Sequence, residues 1–253
     1  MNKLLLLFSF FILTNVSIAQ NFKVIDEYEA SIGYLNIQGD LGIRNHFKTT
    51  LGNSGGTGQA KVYINFNDPY DYSRSYLGKH LRYNLGFDMG YSILKPSDPN
   101  LTYGIKANAM SGQVYYFDLG ANVEYHISNL REVNFFSSSF LANFDPYVGV
   151  GVYGVYYGVE LESALGNFEK TPSILPTSYV GRIKNGDRFT EGIHLETGIR
   201  YRFSDELQFS VKNDWMFLFD DYFDGVNPDP KKVENLYNDW LLKTSVGIVI
   251  FIQ

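Results

Sequence analysis

Residues 241–252 read LLKTSVGIVIFI, and the alternation within them decides the fold. Leu242, Thr244, Val246, Ile248, Ile250 and Ile252 fall on one side of an extended chain. Lys243, Ser245, Gly247, Val249 and Phe251 fall on the other. Successive strand side chains point to opposite faces. The segment therefore reads as a strand with one apolar face and one face that begins polar and small.

The same period recurs upstream. Ile193, Leu195, Ile199, Tyr201 and Phe203 oppose His194, Glu196, Gly198, Arg200 and Arg202. Leu207, Phe209, Val211, Trp215, Phe217 and Phe219 oppose Gln208, Ser210, Lys212, Asp214 and Met216. Only Ser204-Asp205-Glu206 separates these two segments, which predicts a tight hairpin. Leu81 to Ile93 sets Tyr83, Leu85, Phe87, Met89 and Tyr91 against Arg82, Asn84, Gly86, Asp88 and Gly90. Tyr115 to Ile127 sets Phe117, Leu119, Val123 and Tyr125 against Asp118, Asn122, Glu124 and His126. A shorter stretch has Ala60, Val62, Ile64 and Phe66 opposite Lys61, Tyr63 and Asn65.

Two segments are less regular. Residues 28–38 carry Glu29, Ser31 and Gly33 on one face and then lose phase. Residues 145–161 are rich in Gly, Val and Tyr on both faces, so the pattern assigns them no phase and leaves room for a bulge. Eight strands follow, at 28–38, 57–66, 80–94, 113–127, 145–161, 192–203, 206–219 and 240–252. Most reach the roughly ten residues with which a tilted strand crosses a bilayer. The connections after the first, third, fifth and seventh strands are long, as extracellular loops of such barrels are. Those at 67–79 and 128–144 are longer than periplasmic turns usually are.

Charge placement assigns the faces. One face is continuously apolar and aromatic. The other collects Glu29, Asp88, Asp118, Glu124, Glu196 and Asp214 with Lys61, Arg82, Arg200, Arg202, Lys212 and Lys243. Opposite signs in such balance suit a narrow interior, because an unpaired buried charge is very costly. An eight-stranded barrel is just wide enough to be filled by side chains. The expected fold is an all-β, eight-stranded antiparallel transmembrane up-and-down barrel with a closed, polar, side-chain-filled lumen. Tyr91, Tyr125, Tyr201, Phe203, Trp215, Phe217, Phe219 and Trp240, near segment ends, are candidates for interfacial girdles. A soluble sandwich would instead turn the apolar face inward.

The leader agrees with export. Lys3, the apolar run 4–12 and the small residues before Gln20 read as a signal peptide with cleavage after Ala19. Residues 1–19 are then the leader and 20–253 the barrel domain, expected in the cell outer membrane. No later apolar run is long enough for a membrane helix. The 253-residue chain has net charge −6, and −7 once Lys3 leaves with the leader. That balance argues against nucleic acid as a partner. With no cysteine, disulfides, zinc–thiolate sites and thiol nucleophiles are excluded together.

Little else in the sequence carries chemistry. His46, His80, His126 and His194 show no metal-ligand spacing. His46 with nearby Ser54 is the one arrangement for a lipid-modifying enzyme to use, and loops of this composition routinely contain both. Residues 52–56 (GNSGG) lack the Lys-Ser/Thr of a phosphate loop and read as a hairpin tip. The acidic stretch 220–225 lacks a regular calcium-ligand pattern. The expectation is no catalytic, cofactor or metal site.

Asp224-Gly225, followed by Tyr237-Asn238-Asp239-Trp240 leading into the final strand, resembles the PorG-like outer-membrane β-barrels of Bacteroidota, in a flavobacterial branch. Residues 42–45, 48–49, 51–53, 130–132 and 146–151 and the Ala19-Gln20 junction fit that resemblance. It implies a single barrel without cofactor. It also implies a part of the type IX secretion apparatus, contacting a periplasmic lipoprotein-containing ring. The chain departs from the usual barrel signal by ending in Phe251-Ile252-Gln253 rather than an aromatic residue. The leading expectation is a non-catalytic barrel, in contact with outer-membrane lipid, that anchors or scaffolds an envelope complex. Its rivals are a narrow channel or small-solute binder, a secreted soluble barrel binding an apolar ligand, and a lipid-modifying enzyme.

Overall fold

The structure is a computed structural model that describes residues 27–41, 47–64, 80–96, 101–128, 143–227 and 238–251. The leader, His46, the motif at 42–45, the connections 67–79 and 129–142, and Tyr237 lie outside the described residues. Among those described, eight strands close into one antiparallel barrel. They are β1 (Glu27–Gln38), β2 (Ser54–Ile64), β3 (Leu81–Leu94), β4 (Met110–His126), β5 (Phe144–Ser163), β6 (Gly186–Arg202), β7 (Leu207–Leu218) and β8 (Trp240–Phe251). Each strand pairs with its sequence neighbour, and β8 closes on β1 from Glu27↔Phe251 to Gln38↔Trp240. Closure leaves no strand edge unpaired, a requirement for any sheet surrounded by hydrocarbon. The end bearing the β6–β7 turn is called the turn end, and the opposite one the loop end. Among the described residues, two short α-helices, α1 (Phe47–Gly52) and α2 (Leu101–Asn108), stand in loop-end connections.

The sequence-based boundaries shift at the loop end. β2 begins at Ser54, so Ser54-Gly55-Gly56 is paired strand and not a hairpin tip; it faces Asn36, Leu35 and Tyr34 on one side. β5 runs to Ser163 and β6 starts at Gly186, which shortens the third loop from both sides. β5 contains no bulge: its register with β4 is continuous from Met110↔Ser163 to His126↔Tyr147. Its phase is also fixed. Asp145, Tyr147, Tyr153, Val155, Tyr157 and Val159 point inward, while Val148, Val150 and Val152 point out.

Below its loop-end margin the outward face is apolar along every strand. Ile32 is 71% exposed and Leu119 67%, levels that a water-soluble sheet avoids on so many contiguous residues. Thr197, Asn213 and Thr244 interrupt this belt on neighbouring strands. There Thr244 Oγ1 donates to Asn213 Oδ1 at 2.7 Å, satisfying part of the one outward amide in the stripe.

The lumen has two storeys. Toward the turn end and through the middle it is packed with charged and hydrogen-bonding side chains. Toward the loop end it is apolar: Leu35, Leu94, Val114, Val155, Met216 and Leu241 point inward, and Leu41, Leu175, Tyr179, Phe223 and Val226 fold in from the loops to meet them. The expected polar filling thus describes the turn-side part, and an apolar cap completes the closure.

Large inward tyrosines lie over inward glycines. A Cβ on Gly120 would sit 2.4 Å from Tyr153 Cγ, and one on Gly198 would sit 2.5 Å from Tyr147 Cζ. Alternation of small and large residues is how a small barrel fills its taper.

Candidate functional site: the charged lumen and its cap

Each of the twelve charged residues singled out from the sequence is buried inside the barrel. They fall into two connected groups, with Arg202 apart. Arg202 stands at the turn end and pairs with Asp205 in the β6–β7 turn at 2.6 Å.

Arg200 organises the turn-side group. Alternation on β6 aims it inward, and it is fully buried. Its guanidinium reaches Glu27 and the Tyr63 hydroxyl, and lies 3.3 Å from Glu29 and 3.2 Å from Glu124. Its plane sits over the rings of Tyr63 (4.7 Å) and Tyr147 (5.2 Å). A planar fork of five donors suits this many acceptors; an ammonium would not. Around it, Lys212 pairs with Glu29 at 2.7 Å, and Lys61 bridges Glu124 (3.0 Å) and Glu196. Arg82 meets Glu27 at 3.0 Å and Asp145 at 3.7 Å. His126 lies between Asp145 (2.7 Å) and Glu124 (3.1 Å) and stacks on Tyr147.

The middle group centres on Asp88. It accepts from Lys243, Thr57, Gln59 (3.2 Å) and Tyr116 (3.2 Å). Gln59 also donates to Asp214 Oδ2 at 2.9 Å, and Asp214 Oδ1 lies 3.4 Å from His194 Nε2. Asp118 is buried here too, and neither of its oxygens has a hydrogen-bond partner among the described residues. The same holds for both ring nitrogens of His194.

Sequence reasoning missed two acids of this network. Glu27 is in phase with Glu29 but precedes the strand start drawn at residue 28, and Asp145 opens the strand whose phase was unassigned. It also missed the tyrosines as members: Tyr63 donates to Glu29 and Tyr147 to Glu196, each at 2.7 Å. Their hydroxyls let large side chains fill volume and satisfy carboxylates together.

The described motif residues near the C-terminus build the cap. Asp224 accepts from the backbone N–H of Leu41 at 2.5 Å and of Val226 at 2.9 Å. Its own N–H donates to Asp239 Oδ2 at 3.1 Å. Gly225 follows with φ +85°, a left-handed turn that a glycine makes without strain. Asn238 donates to the Leu218 carbonyl at 3.1 Å, and Trp240 begins β8. Asp224 and Asp239 thus latch the fourth loop to the first. Burial, with the negative charges of Asp224, Asp40 and Asp221, pushes the Asp239 carboxyl well above the usual carboxylate range.

Two groups bring three metal-capable ligand atoms within 4.8 Å of one another: His194, Glu196 and Asp214 in the lumen, and Asp40, Asp221 and Asp239 in the cap. In the first, Glu196 is already held by Lys61 and Tyr147. Ser54, weighed with His46 for catalysis, donates to the Leu51 carbonyl at 2.7 Å at the start of β2.

No protein-family model and no curated protein matches the chain. Solved structures are similar to it. Neisserial surface protein A matches at 13% identity and TM-score 0.46, over 89% of this chain and 96% of that one. A major outer membrane protein of Thermus thermophilus matches at 13% and 0.44, over 88% and 98%. The outer membrane protein OprG of Pseudomonas aeruginosa matches at 13% and 0.42, over 90% and 97%. Likeness at this level leaves the fold to the strand register described above.

Proposed function

We propose that this protein is a closed, non-catalytic outer-membrane β-barrel that anchors or scaffolds an envelope complex. The observation that carries the reading is the filled lumen, wrapped in an apolar belt. A charge network occupies the turn side, an apolar cap the loop side, and the cavity lined by Gln59, Lys61, Asp88, Tyr153, His194 and Lys243 is only about 10 Å3. That volume is about one water. It holds neither a solute nor an apolar ligand, which disfavours the channel and the soluble-binder readings. The outward belt is what lipid contact requires of a barrel. A barrel that transports nothing through its lumen acts through its surfaces and its connections.

The complex we favour is type IX secretion, on the resemblance carried by Asp224, Gly225 and residues 237–240. The partner would be a periplasmic or outer-membrane lipoprotein met by the connections 67–79 and 128–144, where Tyr70, Tyr72, Arg74, Tyr76, Arg131, Phe135 and Phe136 supply contact residues. Photocrosslinkers at Tyr72 and Phe135 in native envelopes test this. A single lipoprotein recovered from both positions supports it; recovery of lipid alone from both rejects it.

A further inference from the structure

The outer surface of the barrel changes character at the loop end of β3–β6, and there it carries a second feature. Below, the outward residues are Met89, Phe117 and Val152. Above them stand the tyrosines Tyr91, Tyr115 and Tyr156. Beyond these the β4–β5 pairing continues to Met110↔Ser163, and its outward side chains become Gln113, Ser111, Glu160 and Glu162. A groove of about 770 Å3 opens against this stretch, within the range of small-molecule sites. Its walls include Tyr91, Lys95, Gln113, Glu160, Glu162 and Asn185.

The polar groups are ordered before any ligand arrives. Tyr91 donates to Gln113 Oε1 at 2.8 Å, and Gln113 Nε2 donates to Glu160 Oε2 at 2.8 Å. Asn185 is fixed by two bonds to the Leu161 backbone, at 2.9 and 3.1 Å. Those bonds leave the phenol lone pairs, a second amide N–H of Gln113 and the other Glu160 oxygen for a partner. Mixed donors and acceptors beside an aromatic ring match vicinal hydroxyls on a sugar ring. One base against two acids makes a poor site for a polyphosphate.

We infer that this groove holds the sugar headgroup of a membrane glycolipid whose acyl chains lie along the outward face of β3–β5 beneath it. Continuity of the groove with the apolar belt carries the choice of a lipid over a free saccharide. The inference rests on the membrane-barrel reading above.

The test uses the full-length mature barrel in nanodiscs of phosphatidylcholine containing a minor fraction of a neutral glycolipid, monogalactosyldiacylglycerol. Native mass spectrometry reads which lipid stays bound. Wild type should retain the galactolipid over phosphatidylcholine, and Gln113→Ala/Glu160→Ala should lose about tenfold in that preference, as removal of two hydrogen-bonding groups implies. Asn213→Ala/Thr244→Ala, polar and outward but in the belt, should retain it. Equal retention by wild type and the groove variant, with both barrels heat-modifiable on gels, overturns the glycolipid site and leaves the membrane barrel standing. Equal retention of the two lipids by wild type overturns the sugar preference. A wild-type chain that does not enter nanodiscs overturns both readings.

Discussion

Arg200 and Asp118 are both buried in one lumen, the first enclosed by partners and the second with no hydrogen-bond partner among the described residues. Arg200 is enclosed by Glu27, Glu29, Glu124 and two tyrosine rings, so its removal strands several carboxylates at once. Arg200→Ala should cost about 3–5 kcal/mol, the usual consequence of breaking a buried ionic network from one side. Arg200→Lys should recover only part of it, because one ammonium cannot serve the same fork of acceptors. Urea unfolding of the refolded barrel in lipid vesicles measures both. Asp118 shows where sequence reasoning stopped. Alternation placed it inward, but the pattern cannot say which charge meets which, since partners such as Lys61 and Glu196 are distant in the chain. Glycine opposite tyrosine is equally invisible until register is known. Gly120→Val should cost about 1–3 kcal/mol by overpacking against Tyr153.

At the scale of the element, β5 is the instructive strand. Its inward face is filled by Tyr147, Tyr153, Val155 and Tyr157 and its outward face by valines, so both faces read as apolar and the alternation vanishes. β3, β4, β7 and β8 were legible because charges occupy their inner faces alone. The orientation now assigned to β5 has a direct test. Val150→Arg should lower stability by about 2–4 kcal/mol if Val150 faces the bilayer midplane, and the same vesicle unfolding reads it. The cap was legible only as a motif: the residues Asp224, Gly225, Asn238 and Asp239 were identifiable, but nothing in their spacing shows that they tie the fourth loop to Leu41. Asp239 gives this latch a pH dependence. Its carboxyl is raised in the folded state above the unfolded value of about 3.9. An acid so shifted stabilises the fold fully below its unfolded value and loses that contribution as pH rises through the folded one. Hydrogen exchange at Leu41, Asp224 and Val226 should therefore quicken as pH rises above the usual carboxylate range, after correction for intrinsic exchange. Asp239→Asn should flatten that response. An unchanged slope in the variant would remove Asp239 as its source.

For the whole molecule, closure is the property from which the rest follows. The belt demands a bilayer, the ring of strands removes every edge, and the charge network and cap together stop the bore. Balanced inward charges in the sequence pointed to a filled interior, whereas the apolar storey above them depends on loops whose residues meet only after the barrel closes. A stopped bore is also what separates a scaffold from a channel. The most direct measurement is the conductance of the refolded full-length mature protein in a planar bilayer, with insertion verified independently by heat-modifiable mobility. The account predicts inserted barrels that pass no steady current at any salt concentration. A stable unit conductance that scales with salt would contradict it.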